Sequence, residues 1–128
     1  VDLDRLDAFR QVHGRNASDE VLRHLGRLLD QLSRQTDFVG RHAGGPFALV
    51  LPETGTADAV QFAERIRRAF ETGAARIAIR FPGPPLTLSL GLAGWSTDVP
   101  SADDLLRRAE HALGRARAEG GNRAALTE

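Results

Sequence analysis

The chain has no cysteine and no lysine. Without cysteine there is neither a disulfide framework nor a thiolate metal site, which fits a cytoplasmic setting. Without lysine, all seventeen basic residues are arginine, so an arginine at any single position is less informative than usual. Long apolar runs are also missing. None approaches the roughly 20 residues of a membrane span, and no signal peptide opens the sequence. There is no charge excess, with seventeen basic against seventeen acidic side chains. That balance argues against a broad grip on nucleic acid and leaves room only for a local basic pocket. No repeat, low-complexity tract or linker divides the sequence. What is present is ordinary: 128 residues, 41% apolar and 27% charged, the composition of one globular domain with a single core.

Periodicity places the elements. Val1-Asp2-Leu3-Asp4 reads as a strand end, and Leu6, Phe9 and Val12 recur at helical spacing before Gly14. A longer helix is predicted from Asp19, with Val21, Leu22, Leu25, Leu28, Leu29 and Leu32 as its apolar stripe. Residues 38–39 and 47–51 read as a hairpin around a glycine turn, closed by Pro52. A second amphipathic helix is expected over residues 56–71. Strands are expected at 77–81 and 86–92, separated by Pro82-Gly83-Pro84-Pro85. The second alternates strictly, with Leu86, Leu88, Leu90 and Leu92 on one face and Thr87 and Ser89 on the other. Ser101 and Asp104 resemble a capping box opening a last helix. Gly120-Gly121-Asn122 stops that helix, and residues 124–126 offer an edge strand. The expected fold is α+β, helices packed on a mainly antiparallel central sheet.

Eight segments carry a resemblance, in order and across the whole chain. They are Asp2-Leu3-Asp4; His13 through Leu22; Arg41-His42-Ala43-Gly44-Gly45-Pro46-Phe47; Leu51-Pro52-Glu53-Thr54; Ala63-Glu64-Arg65-Ile66-Arg67; Leu86-Thr87-Leu88-Ser89-Leu90-Gly91; Ala109-Glu110-His111-Ala112-Leu113; and Gly120-Gly121-Asn122. In register, the set resembles the GGDEF family of diguanylate cyclases, whose signature RYGGDEF falls on Arg41 to Phe47. The resemblance implies a nucleotidyl-cyclase, palm-like sandwich over residues 1–128. Relative to the family, the leading helix and the start of the first strand are missing, so the chain reads as a fragment of a multidomain signalling protein.

The family's reaction is attack of one GTP 3'-hydroxyl on the α-phosphate of another, with metal ions neutralising the triphosphate. Asp2 matches the first metal carboxylate and could still hold an ion. The signature loop should supply the other acids, but Gly45 and Pro46 occupy those positions. Losses of this kind cost about 3–4 kcal/mol per group, so two amount to roughly 10⁴–10⁵ in rate. Arg10 stands where the resemblance implies a guanine-reading asparagine, although Asp19, its partner, survives. Arg117 keeps the charge of a phosphate-binding lysine, while Gly121 replaces a phosphate-binding arginine. The expectation is a degenerate domain without activity, needing no cofactor, with Mg²⁺ only where nucleotide binding persists. The bland reading of Asp2 and Asp19 is a strand-end residue and a helix cap.

Upstream, Arg34-Gln35-Thr36-Asp37 sits at the offset of the family's inhibitory RxxD motif, and Arg65 matches a second arginine of that site. An arginine can pair with guanine O6 and N7, and a carboxylate can accept from the guanine N1 and N2 hydrogens. The alternative is a solvated helix-end cation and a turn residue. The expected ligands are cyclic di-GMP or GTP. The expected partners are a neighbouring phosphodiesterase (EAL) domain of the same chain or a second copy, with no nucleic acid and no membrane contact. An active cyclase and a nucleotide-free interaction module are the competing functions. His13, His24, His42 and His111 share no ligand spacing and are expected at the surface or in loops. Trp95 is expected to pack.

Overall fold

A computed structural model describes residues 1–42 and 46–127. Its elements are β1 (Asp2–Leu3), α1 (Leu6–His13), α2 (Arg15–Leu32), β2 (Phe38–Arg41), β3 (Phe47–Val50), α3 (Thr56–Arg80), β4 (Leu88–Ala93), α4 (Ala102–Ala118) and β5 (Arg123–Thr127). β1 lies antiparallel to β4, with Asp2 opposite Ser89 and Leu3 opposite Leu88. β5 runs parallel to β4 on its other side, and β2 and β3 form the expected hairpin. Val1 and Phe47 exchange both backbone hydrogen bonds, at 2.8 and 2.9 Å. That reciprocal pair is the mark of antiparallel pairing, and it joins the hairpin to β1. A three-stranded sheet, ordered β1-β4-β5, thus meets the two-stranded β2-β3 sheet at this point, and every strand pair is antiparallel except β4-β5.

The alternation of β4 sorts two helical layers. Leu86, Leu88 and Leu90 join Leu3, Val21, Leu25, Leu29, Ile66 and Phe70 in the main core, beneath α2 and α3. Each such side chain contributes about 1.5–3 kcal/mol by leaving water. The opposite face meets α4, where Ala112 and Ala116 close on Ala125 of β5. Gly91 permits that approach. A Cβ there would fall on the Ala109 carbonyl oxygen and the Leu113 nitrogen of α4. The Ser101 hydroxyl accepts from the Asp104 N–H at 3.2 Å, the capping contact read from sequence. Among the described residues no helix is long and apolar enough to cross a membrane.

Four expectations fail, each for a local reason. α2 begins at Arg15 rather than Asp19, because the Gly14 carbonyl already accepts from Ser18 N–H at 3.2 Å. Asp19 is therefore inside the helix and is not its cap. The second amphipathic helix continues to Arg80, so residues 77–81 form no strand. Gly73 did not end it: a Cβ there would stand 2.6 Å from His24 Nε2, so this glycine admits the α2 side chain. Helical geometry then turns Ile77 and Phe81 toward the core and leaves Ile79 83% exposed. Trp95 lies two residues beyond β4 and is 65% exposed, so it does not pack. His13 and His24 are half-buried rather than free: His13 packs between Phe9 and Phe81, and His24 against Phe70.

Candidate functional site

The site is built at the end of β1. Asp4, just beyond that strand, accepts hydrogen bonds from Thr87 Oγ1 at 2.7 Å, Ser89 Oγ at 2.6 Å and the Asn122 N–H at 2.8 Å. One carboxylate thus ties β1 to β4 and to the turn between α4 and β5. Gly121 closes that turn at φ 72°, and a Cβ on it would stand 2.8 Å from Asp4 Oδ2. Short hydroxyls at Thr87 and Ser89 and no side chain at Gly91 are what this face of β4 requires. In the sequence Asp4 stands out only as part of the strand end Asp2-Leu3-Asp4. Its signal lay in the alternating Thr87 and Ser89, half-buried and buried donors that need an acceptor.

Asp2 has different company. Its Oδ1 accepts from the Leu3 N–H at 2.9 Å, and its Oδ2 is in an ion pair with Arg117 Nη2 from α4. The structure thereby brings together two positions that the sequence had assigned to separate parts of a substrate site. Pro46 accepts from the His42 N–H at 2.9 Å, and His42 in turn reaches Glu110 of α4 at 3.3 Å. Gly45 lies outside the described residues, as do Ala43 and Gly44. A divalent cation does not fit what is present. Asp2 is a lone carboxylate covered by a guanidinium, and among the described residues no three His, Cys, Asp or Glu side chains cluster as metal ligands would.

The base-recognition positions part company. Arg10 Nε donates to Ser18 Oγ at 3.2 Å, fastening α1 to the first turn of α2. Asp19 faces instead a groove of about 460 Å³ with Leu22, Arg23, Gly26, Arg27, Arg41 and Phe47. The guanidinium of Arg41 lies over the Phe47 ring at 5.4 Å, a cation–π contact. Arg23 and Arg27 were not singled out by sequence reasoning. Their signal was helical spacing, four and eight residues after Asp19.

Arg34 and Asp37 do come together. Asp37 Oδ2 accepts from the Arg34 N–H at 2.8 Å and Oδ1 from Arg34 Nη2 at 3.2 Å. The same Nη2 reaches the Pro52 carbonyl and Thr54 Oγ1. Asp37 is thereby covered (2% of its side chain exposed), while Arg34 remains 57% exposed. Burial pushes the Asp37 carboxyl up, but the Arg34 N–H, guanidinium hydrogen bond and charge outweigh it and hold the group below its ordinary range. Arg65 is exposed on α3, with no hydrogen bond or ion pair to this pair.

Comparison with known proteins decides the family. The model of the family described as diguanylate cyclase, GGDEF domain, matches residues 1–123. The chain belongs to the GGDEF family. Diguanylate cyclase DgcM of Escherichia coli is 36% identical over 123 residues, covering 96% of this chain and 28% of that protein. The GGDEF chain thus spans well under a third of that relative's length. The active GGEEF domain of a diguanylate cyclase from Vibrio cholerae is 27% identical with a TM-score of 0.87, over 99% of this chain and 79% of that one. The GGDEF domain of DgcB from Caulobacter crescentus, solved in complex with c-di-GMP, shares the fold at a TM-score of 0.88 and 22% identity, over 98% and 74% of the two chains. The palm-like α+β sandwich is therefore the GGDEF fold, and the family's setting is cyclic di-GMP signalling.

Proposed function

We propose that this GGDEF domain no longer makes cyclic di-GMP and acts as a regulatory or scaffolding module in cyclic di-GMP signalling. One observation carries the reading: Asp2, the family-matched carboxylate outside the signature loop, is neutralised by Arg117. With Gly45 and Pro46 in the loop's acidic positions, no three acidic side chains cluster among the described residues to gather the charge that phosphoryl transfer develops. Pro46 also lacks a backbone N–H. Incubation of the purified chain with GTP and Mg²⁺ or Mn²⁺, with products separated by chromatography, is expected to yield no cyclic di-GMP. Product above a boiled control would overturn the reading.

Ligand binding is its second element. The domain binds cyclic di-GMP on the Arg34 side, with Arg65 as a further cation. Asp37 is engaged with Arg34 and covered, so its role is to aim the guanidinium rather than to read guanine itself. Arg34 Nε and Nη1 have no protein partner among the described residues and suit the O6 and N7 acceptors of guanine. A neighbouring EAL domain or a second copy would then sense the occupied surface. Calorimetric titration of cyclic di-GMP should release heat with wild type and little with Arg34→Ala. No heat from wild type would leave a nucleotide-free interaction module.

A further inference from the structure

Between α2 and α3, away from Asp2 and from Arg34, cations meet with too few acids to answer them. Helical spacing sets Glu20, His24 and Arg27 along α2, and Arg76, Ile77 and Arg80 along α3. With Val21 and Phe81 these residues line a cavity of about 170 Å³. Arg80 is accounted for: its Nη1 lies 2.5 Å from Glu20 Oε1, and its guanidinium sits over Phe81 at 5.1 Å. Arg27 and Arg76 make no hydrogen bond or ion pair among the described residues. Both stand close enough to His24 that their charges, after burial, hold its imidazole below the ordinary range. His24 Nε2 is shielded from solvent without a hydrogen-bond partner, backed against Gly73.

The charged groups facing the cavity from both helices are thus three arginines and one glutamate, beside the His24 imidazole. Like charges gathered in a cleft repel unless an anion lies among them. Guanidinium forks from opposite walls match a tetrahedral oxyanion, which offers oxygens to both sides, better than a single planar carboxylate. We propose that this cavity is an oxyanion site for a phosphate group, held by Arg27 and Arg76. Arg80, fixed by Glu20, forms one wall, and the His24 imidazole lines the cavity beside them. The phosphate could belong to a free inorganic anion or to the chain of a nucleotide, and the two sources can be separated.

The test is an NMR titration of the isotopically labelled chain with sodium pyrophosphate and, in a second arm, with GTP, at constant ionic strength set by NaCl. Saturable shifts are expected at the His24 imidazole and in α2 and α3 amides, with the His24 midpoint rising on saturation. Saturation at lower concentration by pyrophosphate assigns a free anion; saturation at lower concentration by GTP assigns a nucleotide. The Arg27→Gln/Arg76→Gln pair should weaken binding at least about tenfold. The single Arg76→Gln variant should show an intermediate loss, and Arg34→Ala none, which keeps this site apart from the cyclic di-GMP surface. Shifts that match added NaCl alone, an unmoved His24 midpoint, or unchanged affinity in the double variant would overturn the proposal.

Discussion

Two aspartates stand two residues apart at the end of β1 and have met opposite fates. Asp4 accepts from two hydroxyls and a backbone N–H, each matched to it by residue type. Asp2 holds one local N–H and is otherwise neutralised by an arginine. The first is part of the frame, because removing it would strand three donors drawn from β4, the residue before it and the α4–β5 turn. The second is tied only to its own turn and to one arginine of α4. A domain can keep a fold's internal hydrogen bonds while its site drifts, since the frame is held by packing and satisfied polar groups and the site by reaction alone.

The contrast can be broken most sharply at Gly91. Gly91→Val drives a side chain into the α4 backbone and is expected to cost about 3 kcal/mol or more, read by urea denaturation. A loss below about 1 kcal/mol would mean that α4 does not lie on β4 as described. Asp4→Ala comes next, at about 3 kcal/mol, because three buried or turn donors lose a charged acceptor. Asp37→Ala is expected to cost about 1 kcal/mol, the loss of a turn contact to the Arg34 N–H. Its pH dependence has a definite sign. A carboxyl lowered on folding stabilises the domain above the ordinary aspartate range, and that share disappears as pH falls through and below that range. Acid titration of stability should therefore be flatter in Asp37→Asn than in wild type. Asp2→Ala is the smallest, below about 1 kcal/mol, since a partly exposed ion pair contributes little. If Asp2→Ala proved as costly as Asp4→Ala, the distinction between frame and site would fail.

Much of the frame was legible in the sequence, because it is written in periods. The Leu86-Leu88-Leu90 alternation and the stripe from Val21 to Leu29 name the core directly, and the Ser101 cap starts α4 where it should. The misplaced end of α3 has a distant cause. Residues 77–81 look like a strand only if Gly73 ends the helix before them, and Gly73 serves instead to admit His24. Nothing local records that contact. Motifs named candidate site residues one by one, but not the contacts between distant ones. The ion pair of Asp2 with Arg117 joins positions 115 residues apart in the chain. The covering of Asp37 by Arg34 depends on a side chain folding back over its own turn.

The proposed loss of the metal centre, with the Asp4 frame beside it intact, can be tested directly with Mn²⁺. Adding Mn²⁺ to isotopically labelled protein broadens amide signals near any bound ion. The expected result is no saturable broadening centred on Asp2 and Leu3, with Asp4, Thr87 and Ser89 signals intact and well dispersed. Saturable broadening focused on Asp2 in the wild-type chain, relieved by excess Mg²⁺, would contradict it.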